Sequence, residues 1–161
     1  RDGDVVSPAN FNAPGQIVIA GSAAAVARAV AKAGEAGGKA IPLKVSAPFH
    51  CALMAPAGKV VGETLDTVTI SPLTFPVVAN VDATPNGDAA RVKELLVRQV
   101  DGAVRWEESI RHLEAQGVTL ALEIGPGKVL AGLVKRITKS ITVISVNDVA
   151  GLEAAAIALA T

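Results

Sequence analysis

The chain has 161 residues, half of them hydrophobic, with 15 basic and 15 acidic side chains and no net charge. That length can bury a core as one domain or two small ones, while the charge balance and 2% aromatic content argue against nucleic acid or an anionic membrane as partner. The single cysteine, Cys51, excludes an internal disulfide; no apolar run is long enough to span a bilayer, and no basic segment precedes one as in a secretion signal. The expectation is a soluble, cytoplasmic, globular protein. The opening Arg1-Asp2-Gly3-Asp4, with no Met, runs straight into Val5-Val6 and reads as a piece of something longer. A mean hydropathy of +0.44 fits apolar faces meant to meet missing partners.

Val5 to Asn12 and the β-branched run Ile17 to Ala20, joined across Pro14-Gly15, predict a hairpin. Gly21-Ser22 ends it, and Ser22 is placed to cap a helix from Ala23 to about Glu35, with Val26, Ala29, Val30 and Ala33 on one face and Gly37-Gly38 as its stop. A strand over Ala40 to Val45 follows. Pro48 fixes its own φ and biases Ala47 toward an extended shape, so this strand ends and His50 falls on a turn. Leu53 to Asp66 reads as a helix that tolerates Pro56 near its start. Phe75 to Asn80 reads as a strand and Thr84-Pro85-Asn86-Gly87 as a turn; Asp88 then caps a helix with Val92, Leu95, Leu96 and Gln99 stacked on one side. Trp106 to Gln116 is a further helix, stopped by Gly117. Strand Leu120 to Ile124 enters Gly125-Pro126-Gly127, helix Val129 to Ile137 follows, and strand Thr142 to Val146 and helix Leu152 to Leu159 close the chain. Strand and helix alternation of this kind points to a parallel sheet covered on both faces.

His50 carries the clearest chemical signal. Set between Phe49 and Cys51 on a strand-to-helix turn, it is partly shielded yet near the surface, a setting that suits a general base. The plainer reading is a turn histidine with no task. Cys51 reads as a small buried packing residue. Asn10 and Asn12 alternate on a strand and face one side. Gly125-Pro126-Gly127-Lys128 resembles a phosphate cradle at a helix N-terminus, but lacks the spacing of a P-loop or a dinucleotide fingerprint. No His, Cys or carboxylate cluster has metal-ligand spacing, and His112, beside Arg111 and Glu114, is assigned no role.

Four segments, in order, carry a resemblance: Ser7-Pro8-Ala9-Asn10-Phe11-Asn12-Ala13-Pro14-Gly15-Gln16, Phe49-His50-Cys51-Ala52-Leu53-Met54, Val104-Arg105-Trp106, and Glu123-Ile124-Gly125-Pro126-Gly127-Lys128-Val129-Leu130. Together they resemble the C-terminal part of malonyl-CoA:acyl carrier protein transacylases and of their relatives, the acyltransferase domains of polyketide and fatty acid synthases. The resemblance implies an α/β fold in two parts: residues 1–46 as the remainder of a ferredoxin-like small subdomain, lacking its first strand and helix, and residues 47–161 as the C-terminal part of an α/β-hydrolase-like large subdomain.

It also implies a Ser/His ping-pong transfer of malonyl from coenzyme A to the pantetheine thiol of acyl carrier protein, with malonyl-CoA as substrate and no cofactor. The serine elbow Gly-x-Ser-x-Gly is not in this chain, since none of Ser7, Ser22, Ser46, Ser71, Ser109, Ser140 or Ser145 lies between the two glycines. The implied partner is therefore a missing N-terminal part bearing the serine and the carboxylate-binding arginine, and this chain alone is expected to be inactive. By the same resemblance His50 is the catalytic base, and the main-chain carbonyl of Arg105 fixes its ring. Asn10 and Asn12 line the acyl pocket, and Phe49 beside the base bears on malonyl against methylmalonyl selectivity. Gln16 and Lys39 touch the coenzyme A side of the cleft, Lys39 as a point charge for phosphate, unless both are simply solvated. The close soon after the last helix favours the free-standing enzyme over a piece of a polyketide synthase acyltransferase domain. A noncatalytic binding or structural module is the third reading.

Overall fold

The computed structural model describes residues 4–160; Arg1, Asp2 and Gly3 of the unusual opening lie outside the described residues. Strands β1 (Val6–Ala13) and β2 (Gln16–Gly21) form the expected antiparallel hairpin. Gly15 closes it at φ +73°, a conformation that glycine reaches without steric cost. The register slips between Pro8 and Asn10 and again between Phe11 and Ala13, so β1 bulges twice. Helix α1 (Ala23–Glu35) comes next, but Ser22 makes no side-chain cap. Its hydroxyl instead donates to Asp4 at 3.3 Å, and Asp4 also pairs with Arg28 at 2.5 Å.

The strand expected over Ala40 to Val45 does not form. Residues 39–46 are all exposed, and residues 40–46 make no backbone hydrogen bond among the described residues. The alternation of Ile41, Leu43 and Val45 is that of a strand, but a strand exists only by pairing, and here no neighbour supplies it. A single 3-10 turn at Ala52–Met54 then leads into α2 (Ala55–Leu65), with Pro56 in its first turn where its missing N–H is harmless.

The strand expected at Phe75 to Asn80 shrinks to β3 (Val77–Val78), paired antiparallel with β4 (Pro85–Asn86) inside what the sequence presents as a turn. Asp88 caps α3 (Ala89–Asp101) as its residue type demands, accepting from Ala90 N–H at 2.8 Å. Helix α4 (Trp106–Ala115) is stopped by Gly117 at φ +81°. Strand β5 (Leu120–Ile124), helix α5 (Val129–Ile137) and strand β6 (Thr142–Val146) form a βαβ unit, its strands parallel from Leu120 opposite Thr142 to Ile124 opposite Val146. Helix α6 (Val149–Leu159) starts three residues earlier than its apolar run suggests, because Asp148 caps it through Gly151 N–H.

The architecture is thus mixed α/β, and among the described residues it holds three two-stranded sheets rather than one continuous parallel sheet. The core lies where β1, α4 and α5 meet, with Ala13, Ile110, Leu133, Val134, Ile137 and Ile141 buried together and Trp106 packed against them. No helix among the described residues is long and apolar enough to cross a membrane.

The loop after β5 has a structural occupant. The Glu123 carboxylate accepts from Leu130 N–H at 2.9 Å, from Ala131 N–H at 3.0 Å and from the Ser145 hydroxyl at 3.3 Å. These are the second and third amides of α5, so its N-terminus is already engaged by a side chain of the same unit, which argues against a phosphate cradle there. Burial pushes the Glu123 carboxyl up, but the Ala131 and Leu130 amides and the Ser145 hydroxyl outweigh it and hold it below the ordinary carboxylate range.

Two stability outcomes follow from this packing. Ile110→Ala, at a site only 4% exposed, is expected to cost about 2 to 5 kcal/mol in urea unfolding; a loss well under 1 kcal/mol would remove Ile110 from the core. A carboxyl whose pKa is depressed on folding stabilises above its unfolded value, about 4.3, and loses that contribution as pH falls through the lower folded value. Glu123→Gln is therefore expected to lower the urea midpoint at pH 7, with the gap to wild type narrowing as the pH drops below about 4. A gap independent of pH would exclude the ionised carboxylate as its source.

Candidate active site

The turn that presents His50 is built from its neighbours. Cys51, 1% exposed, points its thiol at the Pro48 carbonyl 3.1 Å away and anchors the turn from inside. His50 itself sits at φ +61°, in the left-handed region that side chains other than glycine adopt only at a cost of about 1 to 2 kcal/mol. Such a conformation persists only where the surroundings over-determine it.

Here they do so through the ring. His50 Nδ1 lies 2.8 Å from the Gln99 carbonyl oxygen and 3.2 Å from that of Gly102. Gln99 belongs to the last turn of α3, where carbonyls lack an intrahelical donor; the Gly102 amide takes the Arg98 oxygen and leaves the Gln99 oxygen open. A carbonyl can only accept, so Nδ1 carries the hydrogen and, in the neutral ring, Nε2 keeps its lone pair. That tautomer is the one a base acting through Nε2 requires.

Arg105 is not the residue that supplies this acceptor, contrary to the sequence expectation. Its carbonyl accepts from Ser109 N–H at 3.0 Å and from the Ser109 hydroxyl at 2.9 Å, inside the first turn of α4. Its guanidinium forks onto Glu108 and reaches the Asp82 carbonyl at 3.2 Å. The Arg105 hydrogen bond also holds the Glu108 carboxyl below the usual range, against burial pulling the other way. The carbonyls that do the work, at 99 and 102, belong to a helix end six residues and three residues upstream. The sequence signal for them is the helix C-terminus itself, where open oxygens are obligatory.

The remaining predicted residues gather elsewhere. Asn10, Asn12, Gln16, Lys39 and Phe49 all line one open groove of about 1470 Å³, and His50 adjoins it in sequence through Phe49. Asn10 faces Val18 across the hairpin, whereas Asn12 is the unpaired residue of the second bulge, so the groove and not simple alternation brings the two together. Gln16 is engaged with Arg136 of α5, and Lys39 is exposed.

Val104, to which sequence reasoning gives no task, connects the two regions. Its N–H donates to Ala9 and its carbonyl accepts from Phe11 N–H, each at 2.8 Å, while the Arg105 amide donates to Asn80 at 2.9 Å. The strand carrying Asn10 is thereby tied to the segment that touches the imidazole. His112, with no role assigned, has a buried Nε2 lacking a partner among the described residues. No group of three or more His, Cys, Asp or Glu suited to a metal occurs among the described residues.

Known proteins match this chain in sequence and fold over nearly its whole length. The family model for the acyl transferase domain matches residues 1–156. The malonyl CoA-acyl carrier protein transacylase of Salmonella typhimurium is 50% identical over 155 residues, covering 96% of this chain and 50% of that protein. The crystal structure of an acyl carrier protein S-malonyltransferase from Vibrio cholerae superposes with a TM-score of 0.92 at 48% identity, covering 96% of this chain and 51% of the other. A malonyl-transacylase solved with its type II polyketide acyl-carrier protein superposes with a TM-score of 0.92 at 47% identity, over 96% of this chain and 50% of the other. The chain spans about half the length of the curated relatives it matches. With the family model matched across nearly its whole length, the chain belongs to the acyl transferase domain family.

Proposed function

We propose that this chain carries the base-bearing half of a malonyl-CoA:acyl carrier protein transacylase, acting in the cytoplasm, with residues 1–46 in the small subdomain and 47–161 in the large one. The observation that carries the catalytic part of this reading is the 2.8 Å contact between His50 Nδ1 and the Gln99 oxygen. It supports a ring whose Nε2 takes the proton of a serine held by the other half as that serine attacks the malonyl thioester. The collapsing intermediate expels the coenzyme A thiolate, to which the ring returns the proton. Acyl carrier protein then enters, His50 takes the proton of its pantetheine thiol as the sulfur attacks the acyl-serine carbonyl, and the ring returns that proton to the serine oxygen as the ester bond breaks. Similarity to a transacylase solved with an acyl-carrier protein supports that partner; the same similarity, to a polyketide enzyme, keeps a polyketide setting as the second reading.

Asn10 and Asn12 are assigned to the acyl pocket, and Gln16 and Lys39 to its coenzyme A side. Phe49 is 48% exposed and lines the groove with the two asparagines, so its ring is not committed to the core. A ring beside the base occupies the volume that an α-methyl branch needs.

The test of His50 uses one polypeptide that joins the unmatched half of the Salmonella typhimurium enzyme to this chain. Malonyl transfer is expected from the joined chain and not from the 161 residues alone, and His50→Ala is expected to slow acylation of the serine by roughly a hundredfold or more. An unchanged pre-steady-state acylation rate would take the base role away from His50.

Selectivity is read in the same joined chain. Overpacking a formed pocket costs about 1 to 3 kcal/mol, so Phe49→Ser is expected to shift competition between malonyl-CoA and methylmalonyl-CoA toward the latter by roughly tenfold, a decade being about 1.4 kcal/mol. An unaltered product ratio would leave Phe49 as packing.

A further inference from the structure

Asn86-Gly87 is the one asparagine-glycine pair in the chain. Such a pair is chemically labile, because glycine has no side chain to keep its amide nitrogen away from the asparagine carboxamide. Here the two residues straddle the surface. Gly87 is exposed, with open space where a Cβ would stand, whereas Asn86 is only 5% exposed. The Asn86 side chain is held through both of its polar atoms: Nδ2 donates to the Asp88 carbonyl at 3.0 Å, and Oδ1 accepts from Asp88 N–H at 3.1 Å. Its main chain is held as well, since Asn86 pairs with Val77 across the β3–β4 ladder. Behind it lies a cavity of about 250 Å³ between that hairpin and α3, lined by Val78, Val92, Leu95 and Leu96 and, among the described residues, by no charged side chain.

We propose that Asn86 is a guarded deamidation site: the folded hairpin blocks a self-modification that local opening releases, and the product then keeps the hairpin from closing again. The chemistry needs only water. The Gly87 nitrogen attacks Asn86 Cγ, its proton and the side-chain amide leave as ammonia, and a succinimide ring closes. Water then opens the ring at either carbonyl, leaving an aspartate, or an isoaspartate whose main chain runs through the former side chain. Ring closure expels the very nitrogen that donates to Asp88, and it needs Asn86 to rotate out of its paired, extended conformation. The side-chain bonds and the ladder both oppose it.

The product does not fit the closed hairpin. A carboxylate accepts but cannot donate, so one of its oxygens would face the Asp88 carbonyl where an N–H now points, beside a cavity wall that offers it no cation. An isoaspartate also lengthens the main chain by a methylene within the ladder. Asp88 is the cap of α3, so the change acts on the helix whose far end faces His50. The inference stands on the hairpin and not on the role of His50.

Peptide mapping by mass, following conversion of the Asn86 amide to the acid, tests it in this chain and in the joined chain. Conversion at neutral pH is expected to be roughly tenfold or more slower in native buffer than in unfolding guanidinium, and to rise through the transition in step with Trp106 fluorescence. Val77→Pro, which takes an amide out of the ladder opposite Asn86, is expected to speed conversion in native buffer by roughly tenfold while Trp106 still reports the folded state. Asn86→Asp, the product made genetically, is expected to lower the guanidinium midpoint at neutral pH. A rate flat across the transition in both chains, or unmoved by Val77→Pro, would overturn the guard. An Asn86→Asp midpoint equal to that of wild type would overturn the block on reclosing.

Discussion

The end of one helix decides where the imidazole points. Helix α3 stops at Asp101 because Gly102 turns to an extended conformation, and its amide closes only onto Arg98. An open oxygen at Gln99 is the unavoidable result, and His50 covers it from 2.8 Å. The bond satisfies a helix terminus and selects a tautomer at once. Together with the Gly102 carbonyl at 3.2 Å and the buried Cys51 beside it, the bond offsets the left-handed backbone of His50.

The backbone between α3 and α4 extends that constraint across the molecule. Within four residues the chain gives a carbonyl to His50 from Gly102, two hydrogen bonds to β1 from Val104 and one to Asn80 from Arg105. The hairpin, the histidine turn and the start of α4 therefore share one short piece of backbone, and the bulges in β1 adjust Asn10 and Asn12 around it. Behind it, Ala13 and Trp106 pack into the core cluster with Ile110 and Leu133, so the frame is fixed by burial as well as by hydrogen bonds.

Features that act within a few residues are legible in the sequence. Asp88 before an apolar-periodic run, Pro14-Gly15 between β-branched stretches, and Gly117 after the last periodic residue are of this kind, and each sits where expected. The differences are nonlocal. Segment 40–46 has the alternation of a strand, but pairing depends on a neighbour that local pattern cannot supply. Sequence resemblance places the acceptor for His50 at Arg105, just before Trp106, whereas the helix end at Gln99 is brought there by the packing of α2 on α3. Alternation puts Asn10 and Asn12 on one side, and they do share a groove, but by way of a bulge that no pattern announces. Gly125-Pro126-Gly127 is legible as a turn; its lock, Glu123, is not, since a carboxylate inside a strand gives no sign that it caps the next helix.

Because the group facing His50 Nδ1 is main chain, it is written in no single codon. Any side chain at position 99 leaves the oxygen where it is, so point substitution there is a poor route to losing the base, and the position is free to drift or to serve the apolar wall formed with Leu95 and Leu96. Helix length is another matter. One residue inserted into or deleted from α3 turns its end by about 100° and moves it about 1.5 Å along the axis, carrying the oxygen off the ring. The site is thus robust to changes of letter and fragile to changes of count, the reverse of a histidine oriented by an aspartate.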